Sequence, residues 1–364
     1  MELIRLENQI NLLLKQYEHC KTINHARIIL SSLQSLLDLY KEVFDKEFMK
    51  KSELEARNPI YYQKYVEYNN QKRNLFIRNF LEYKDFHYLF ICNIINEFNF
   101  FAYDYDILYP PAHNQKELDQ LLKDYCLNTN SDTYLIYNNL KSNNCFFNIS
   151  KKTDYCASTY SDYYNKVDFI VFRNQKQSLE TLATLIHEIG HVEDFKNMSS
   201  SKLVDYTYRS PFSEVHSLKE EKQFYDYLLK NKIYDDEIKD EVLFECDNII
   251  EYLVSLLIYS KISSGYLERS KFLFIKDSWI EEALQGTNLN PLFVLDNFEM
   301  IDFFDSYVYS YGELLSTYFL EHPDKYEAFR SKKYDFFHPS LFQELDITSS
   351  DIVKSLYKRY EKYK

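Results

Sequence analysis

The chain has 364 residues, with 43 Lys and Arg against 56 Asp and Glu, and its formal charge of -13 at pH 7 disfavours nucleic acid and anionic membranes as partners. Aromatic residues make up 18% of it, whereas four Gly and seven Pro leave few tight turns and point to long helices. The length suffices for a large core or two lobes, and no apolar run reaches the roughly 18 residues of a membrane span. The start, Met1-Glu2-Leu3-Ile4-Arg5-Leu6-Glu7, lacks the basic and apolar regions of a signal peptide. Six cysteines, Cys20, Cys92, Cys126, Cys145, Cys156 and Cys246, stand apart with no Cys-x-x-Cys pair, and read as reduced thiols. A cytoplasmic location is therefore expected.

From residue 2 to about 100 the apolar residues recur with helical period. Leu6, Ile10, Leu13, Leu14 and Tyr17 mark a first helix, and Ile28, Ile29, Leu33, Leu36, Leu37 and Tyr40 a second. Asn58-Pro59 breaks before a third, which carries Leu75, Phe76, Phe80 and Leu81. Tyr109-Pro110-Pro111-Ala112 is the clearest linker. A helix is expected from about Gln115 to Cys126, then strands from near Tyr134 to near Arg173. From Pro211 onward the pattern is again mostly helical, with loop signals at Ser263-Ser264-Gly265 and Gln285-Gly286-Thr287-Asn288. Residues 354–364 read as a solvated amphipathic end. This division gives a helical N-terminal region over 1–130 and a second region over 131–364.

His187-Glu188-Ile189-Gly190-His191 carries the chemistry. Two His four apart on a helix point to one face, so both imidazoles reach a single metal. The Glu beside the first His is placed to take a proton from a metal-activated water. Before the motif, residues 166–173 read as a short apolar strand and 174–177 as a polar break. Ser178 suits a helix N-cap, and Glu180 its positive first turn. Leu182, Leu185, Ile186 and Ile189 give the helix an apolar face, with His187 and His191 on another. Gly190 inside a helix costs about 1 kcal/mol relative to Ala, which implies close packing there.

An open zinc site needs a third protein ligand. The Gly and His that another zinc-peptidase class places three and six residues after the second His are here Asp194 and Asn197, which excludes that class. Ser210-Pro211 reads as the start of a further helix whose first turns hold Glu214, His216, Glu220 and Glu221. Glu214 and His216 are the rival ligands. Each also has a plain reading, as a first-turn acid favoured by the helix dipole and as a solvated His.

Taken together these segments resemble the family of oligoendopeptidase F and thimet oligopeptidase, zinc peptidases that cut short peptides. Phe147-Asn148-Ile149-Ser150 and Ala157-Ser158-Thr159-Tyr160 are similar to the family's paired strands. Residues 167–191 resemble its strand, turn and metal helix. Ser213-Glu214-Val215-His216-Ser217 resembles its Ala-Glu-Ile-Ala-Ser segment, whose Glu is the third ligand, and that match selects Glu214. Tyr307-Val308-Tyr309-Ser310-Tyr311-Gly312 resembles a Tyr-Val-Tyr-x-Tyr segment that faces the zinc. Phe224 to Lys230 continues the similarity, and Glu344-Leu345-Asp346-Ile347-Thr348 resembles the lead-in to the closing helix. The likeness runs from about residue 145 to the C-terminus and is weak between about 235 and 295. The chain departs from the family at Asp194 and around Ile301-Asp302-Phe303, where members often carry a His, and it is short for the family.

The resemblance implies a mainly α fold with a small β-sheet beside the active-site helix. It implies a zincin-type catalytic core, and an N-terminal helical region enclosing a channel that admits short or unfolded peptides. It implies one zinc per chain held by His187, His191 and Glu214, Glu188 as the base, and Tyr309 as oxyanion donor with Tyr307 or Tyr311 as substitutes. Tyr is so common here that packing is the competing reading of that segment. An extended peptide is expected to add to an open edge of the strand around Phe169 to Phe172, or of the one through Ala157 to Tyr160. Two other functions share the motif: a catalytically degenerate peptide-binding protein, and a zinc hydrolase of non-peptide amides. The intact Glu188 argues against the first, since a structural zinc site needs no base.

Overall fold

The computed structural model describes residues 2–98, 113–129, 132–149, 157–173, 178–196, 210–262, 267, 277–291, 294, 301–332 and 336–361. The linker at 109–112, the polar break at 174–177, the Ser-rich stretch at 197–202, the loop at 263–265 and Cys156 lie outside these residues. The fold is mainly helical with one small three-stranded sheet. Two compact units divide the chain, the first of residues 1–72 and 110–208, the second of 73–109 and 209–364.

In the first unit α1 (Glu2–Glu18) and α2 (Ile23–Phe44) pair through the apolar stripes seen in the sequence. Leu6, Ile10, Leu13, Leu14 and Tyr17 are buried on one helix, and Ile29, Leu33, Leu36 and Tyr40 on the other. Thr22 caps α2 by accepting from the His25 N–H at 3.3 Å. The break at Asn58 separates α3 (Lys51–Arg57) from α4 (Pro59–Glu82) and is pinned from both sides. Tyr17 donates its hydroxyl to the Asn58 carbonyl at 2.8 Å, and the Asn58 amide donates back to the Tyr17 carbonyl at 3.3 Å.

α6 (Gln115–Thr129) forms where expected. The strands do not begin near Tyr134. Residues there form α7 (Thr133–Ser142), which buries Thr133, Ile136, Tyr137 and Leu140. That spacing is helical, and it outweighs the strand preference of the aromatic and β-branched residues in it. The sheet has the order β1 (Phe146–Ile149), β3 (Val167–Arg173), β2 (Ala157–Asp162), with β1 parallel and β2 antiparallel to β3. β3 is thus the central strand and offers no open edge, contrary to one of the two expectations; β2 is an edge strand.

Asp162 shapes the β2–β3 turn by accepting from the Tyr164 and Asn165 backbone N–H groups, both at 3.1 Å. α2 packs along β2, where Glu42 pairs with Arg173 and accepts from the Tyr160 hydroxyl. α8 (Leu179–Lys196) packs on β2 and β3 from the face that carries Thr159.

The second unit is helical. It holds α5 (Lys84–Glu97), α9 (Val215–Lys230), α10 (Asp235–Lys261), α11 (Asp277–Leu284), α12 (Phe303–Glu321), α13 (Pro323–Lys332), α14 (Ser340–Glu344) and α15 (Ser349–Tyr360). α12 is the hub, in contact with α9, α10 and α15. Its Phe303, Tyr307 and Tyr311 join Phe76, Phe80, Phe90 and Phe337 in an aromatic core, largely through tilted and edge-on ring pairs. Such pairs contribute about 0.5–1.5 kcal/mol each beyond their burial.

The C-terminal segment is not a solvated helix. α15 is closed at its start by a capping box of Thr348 and Asp351, and it buries Leu356, Arg359 and Tyr360. Arg359 pairs there with Asp226 at 2.8 Å and Glu245 at 3.1 Å. Lys222, fully enclosed, bridges Glu245 and Glu313, so buried charges link α9, α10, α12 and α15. No described helix is long and apolar enough to cross a membrane.

Candidate metal centre

α8 starts as the sequence predicts. The Ser178 hydroxyl accepts from the Thr181 N–H at 3.2 Å, and Leu179, Leu182, Leu185, Ile186 and Ile189 are buried beneath the helix. This fixes the rotation of the helix and, with it, the face on which both His lie. The His187 and His191 rings stand 4.9 Å apart between centroids at an interplanar angle of 81°. His187 is 8% exposed and His191 half-buried. Gly190 between them is buried. Glu188 is half-buried, and its backbone carbonyl accepts from the Thr159 hydroxyl of β2 at 3.1 Å. That bond ties the middle of the motif to the edge strand, a link the sequence did not reveal.

In the second unit the helix expected to start at Pro211 begins later. Residues 211–214 form turns, held by the Ser213 N–H to Ser210 carbonyl bond at 3.0 Å and the Val215 N–H to Phe212 carbonyl bond at 3.2 Å. Glu214 is therefore the N-cap residue of α9, not a first-turn acid. Its carboxylate accepts from the Ser217 hydroxyl at 3.1 Å and is 2% exposed. A buried carboxylate oriented by a hydroxyl is how a ligating acid is commonly held. His216 is also buried, but its Nδ1 is hydrogen-bonded to the Tyr326 hydroxyl.

Gly312 of α12 comes directly against Glu214. A Cβ at Gly312 would lie 2.9 Å from the Glu214 Cβ and 2.9 Å from Leu218 Cδ1. Residues three and four apart share a helix face, so Tyr309 lies on the same side of α12 as Gly312 and Glu313. Tyr307 and Tyr311 lie on the opposite side. Both are fully buried, with the Tyr311 hydroxyl 2.6 Å from His87 Nδ1 and the Tyr307 hydroxyl 3.4 Å from His87 Nε2. Burial pushes both phenols well above the usual tyrosine range, and it drives His87 down to about 3. His87 stacks on Phe80 at 4.9 Å, so the three form a neutral polar knot inside the aromatic core. Tyr309 instead stacks on Tyr252 of α10. Sequence reasoning named neither His87 nor Tyr252, because no local spacing connects them to α12.

His187 and His191 of the first unit, and Glu214 of the second, each offer a ligand atom of a kind that holds metal ions. Two imidazoles and one carboxylate suit zinc and leave one of its four positions for water or substrate. None of the five described cysteines belongs to that group or forms a disulfide.

No family model matches the chain, and no curated protein matches it. Among solved structures, one described as a "putative oligoendopeptidase F from Bacillus anthracis str. Ames" aligns over 96% of this chain and 68% of that one, at 13% identity and a TM-score of 0.47. A likeness of this size leaves the functional argument to the residues of the chain itself.

Proposed function

We propose that this protein is a zinc-dependent peptidase of the oligoendopeptidase F and thimet oligopeptidase type, acting on short or unfolded peptides. The observation that carries the reading is α8, with two adjoining imidazoles on one helix face and a carboxylate at the intervening Glu188. His187, His191 and Glu214 would hold the metal. Bound zinc supplies a Lewis acid that polarises a peptide carbonyl and makes a water acidic near neutral pH.

Glu188 takes the proton from the attacking water as its oxygen bonds to the carbonyl carbon. The same carboxyl then passes the proton to the amide nitrogen as the C–N bond breaks, so an amine and a carboxylic acid leave. Tyr309 donates its hydroxyl to the oxygen that gains negative charge, an interaction that strengthens only as the charge develops. The outer edge of β2 takes the substrate backbone. In the antiparallel register, residues 157, 159 and 161 direct their backbone groups away from β3, and the Ser161 N–H is already bonded to the Ser35 hydroxyl at 2.9 Å. The stretch at Ala157 and Thr159 therefore receives the peptide, beside the carbonyl of Glu188. Recognition through backbone gives broad sequence tolerance and a limit on length.

Elemental analysis with a quenched peptide library read by mass spectrometry tests this. One zinc per chain is expected, lost in His187→Ala, His191→Ala and Glu214→Ala and kept in His216→Ala. Full zinc retention with unchanged activity in Glu214→Ala overturns the ligand set. A zinc-loaded protein that cleaves small amides but no peptide overturns the substrate class.

A further inference from the structure

We propose that Tyr252 is a positioning residue for Tyr309: its ring, laid flat against Tyr309, holds that phenol in its working orientation. The inference rests on the reading of Tyr309 given above.

Tyr309 stands on the side of α12 away from Tyr307 and Tyr311, whose hydroxyls meet His87 in the aromatic core. A tyrosine hydroxyl lies at the end of a long lever, and small rotations about its first two side-chain bonds move it far. Misplacing a reacting group by about 1 Å costs on the order of 10²-fold in rate. The role proposed for Tyr309 therefore needs its ring held in one orientation. Tyr252 is in place to do so, with its ring centroid 5.1 Å from that of Tyr309 and the planes 16° apart. Offset stacking at this separation is the favoured geometry for two aromatic rings.

Tyr252 is itself well held. It lies on α10, which packs along α12, and the Lys222 bridge to Glu245 and Glu313 ties the two helices together. Burial and the nearby carboxylates of Glu313, Asp305, Glu251 and Glu214 keep its phenol protonated. The ring of Tyr252 stacks on Tyr309, and the positioning is assigned to that ring.

Four variants assayed on one quenched peptide cut by the wild type test this: Tyr252→Phe, Tyr252→Leu, Tyr309→Phe and the Tyr252→Leu/Tyr309→Phe double. Tyr252→Phe keeps the stack and is expected to retain wild-type kcat and KM. Tyr252→Leu is expected to lose on the order of 10²-fold in kcat with KM within about twofold and full zinc content. The double variant is expected to be no slower than Tyr309→Phe alone, since the ring acts only through Tyr309. Independent, multiplying losses overturn the proposal, as does wild-type kcat in Tyr252→Leu. A loss in Tyr252→Phe, which tests the idea even if the Leu variant fails to fold, overturns it too by assigning the effect to the hydroxyl. Wild-type kcat in Tyr309→Phe points elsewhere: it removes the oxyanion role of Tyr309, and the positioning role falls with it.

Discussion

Glu188 is the residue on which the proposed chemistry turns. It sits between two buried or half-buried imidazoles on a helix whose other side is fully packed. Replacing it with Gln removes the proton acceptor and almost no volume. Glu188→Gln is expected to keep zinc and peptide affinity while kcat falls by about 10²–10⁴-fold, as for other general bases. Zinc analysis, peptide binding by fluorescence and steady-state kinetics check the three parts separately. Near wild-type kcat with zinc in place would assign the base elsewhere.

The tyrosines show how far residue identity alone carries. Three stand in one segment, yet the structure puts the Tyr307 and Tyr311 hydroxyls on His87 and leaves Tyr309 on the Glu214 side of α12. The spacing of two residues already places Tyr309 opposite the others on a helix. Which side faces the core is decided by Phe76, Phe80 and Phe337, far away in the chain.

Among the elements, the approach of α12 to α9 is the tightest the glycines record at the candidate centre. Ala is the better helix former by about 1 kcal/mol, so an exposed Gly→Ala change in a helix stabilises. At Gly312 the added methyl meets the Cβ of Glu214, which is close to backbone and gives little, so overpacking of about 1–3 kcal/mol outweighs the propensity gain. Gly312→Ala is expected to lower the thermal midpoint and to weaken zinc retention, read by scanning calorimetry and by competition with a chelator. A variant more stable than wild type with unchanged zinc affinity would show that α9 yields easily there.

Helix starts were only partly legible. Ser178 caps α8 as read, because its hydroxyl needs only an N–H three residues on. Pro211 misled, because proline tolerates a turn as readily as a helix start, and bonds from Ser213 and Val215 back to Ser210 and Phe212 set the turn. At α7 the burial of Ile136, Tyr137 and Leu140 decides for helix over strand.

For the molecule as a whole, the buried His87 and the half-buried Asp168 give pH dependences of opposite sign. Burial lowers His87 to about 3, from an ordinary value of about 6.5. Between those limits the unfolded chain takes up a proton that the folded chain refuses, so this contribution is full above pH 6.5 and is lost as pH falls. Burial raises Asp168 to about 6, partly offset by the Ser161 hydroxyl that donates to it at 2.7 Å. There the folded chain keeps a proton that the unfolded chain releases, so stability falls as pH rises through 6. Thermal melts of wild type, His87→Gln and Asp168→Asn at pH 4.5 and 7.5 check both signs. The deficit of His87→Gln is expected to shrink at the lower pH, and Asp168→Asn is expected to gain on wild type at the higher. Differences independent of pH would mean that neither group changes its titration on folding.

The sequence by itself determined the helix that carries His187 and His191, its cap and its buried face, and the two helices α1 and α2 with their apolar stripes. Each of these rests on contacts repeating within a few residues, where the pitch of the helix converts spacing into direction. It also determined that the fold is mainly helical, through the scarcity of Gly and Pro. Only the tertiary structure decided that β3 is central, that α15 is buried through Arg359 and Tyr360, that Glu214 stands at the start of α9 against Gly312, and that Tyr252 lies on Tyr309. These contacts join segments distant in the chain, and side-chain packing between helices leaves no periodic trace in the order of the residues.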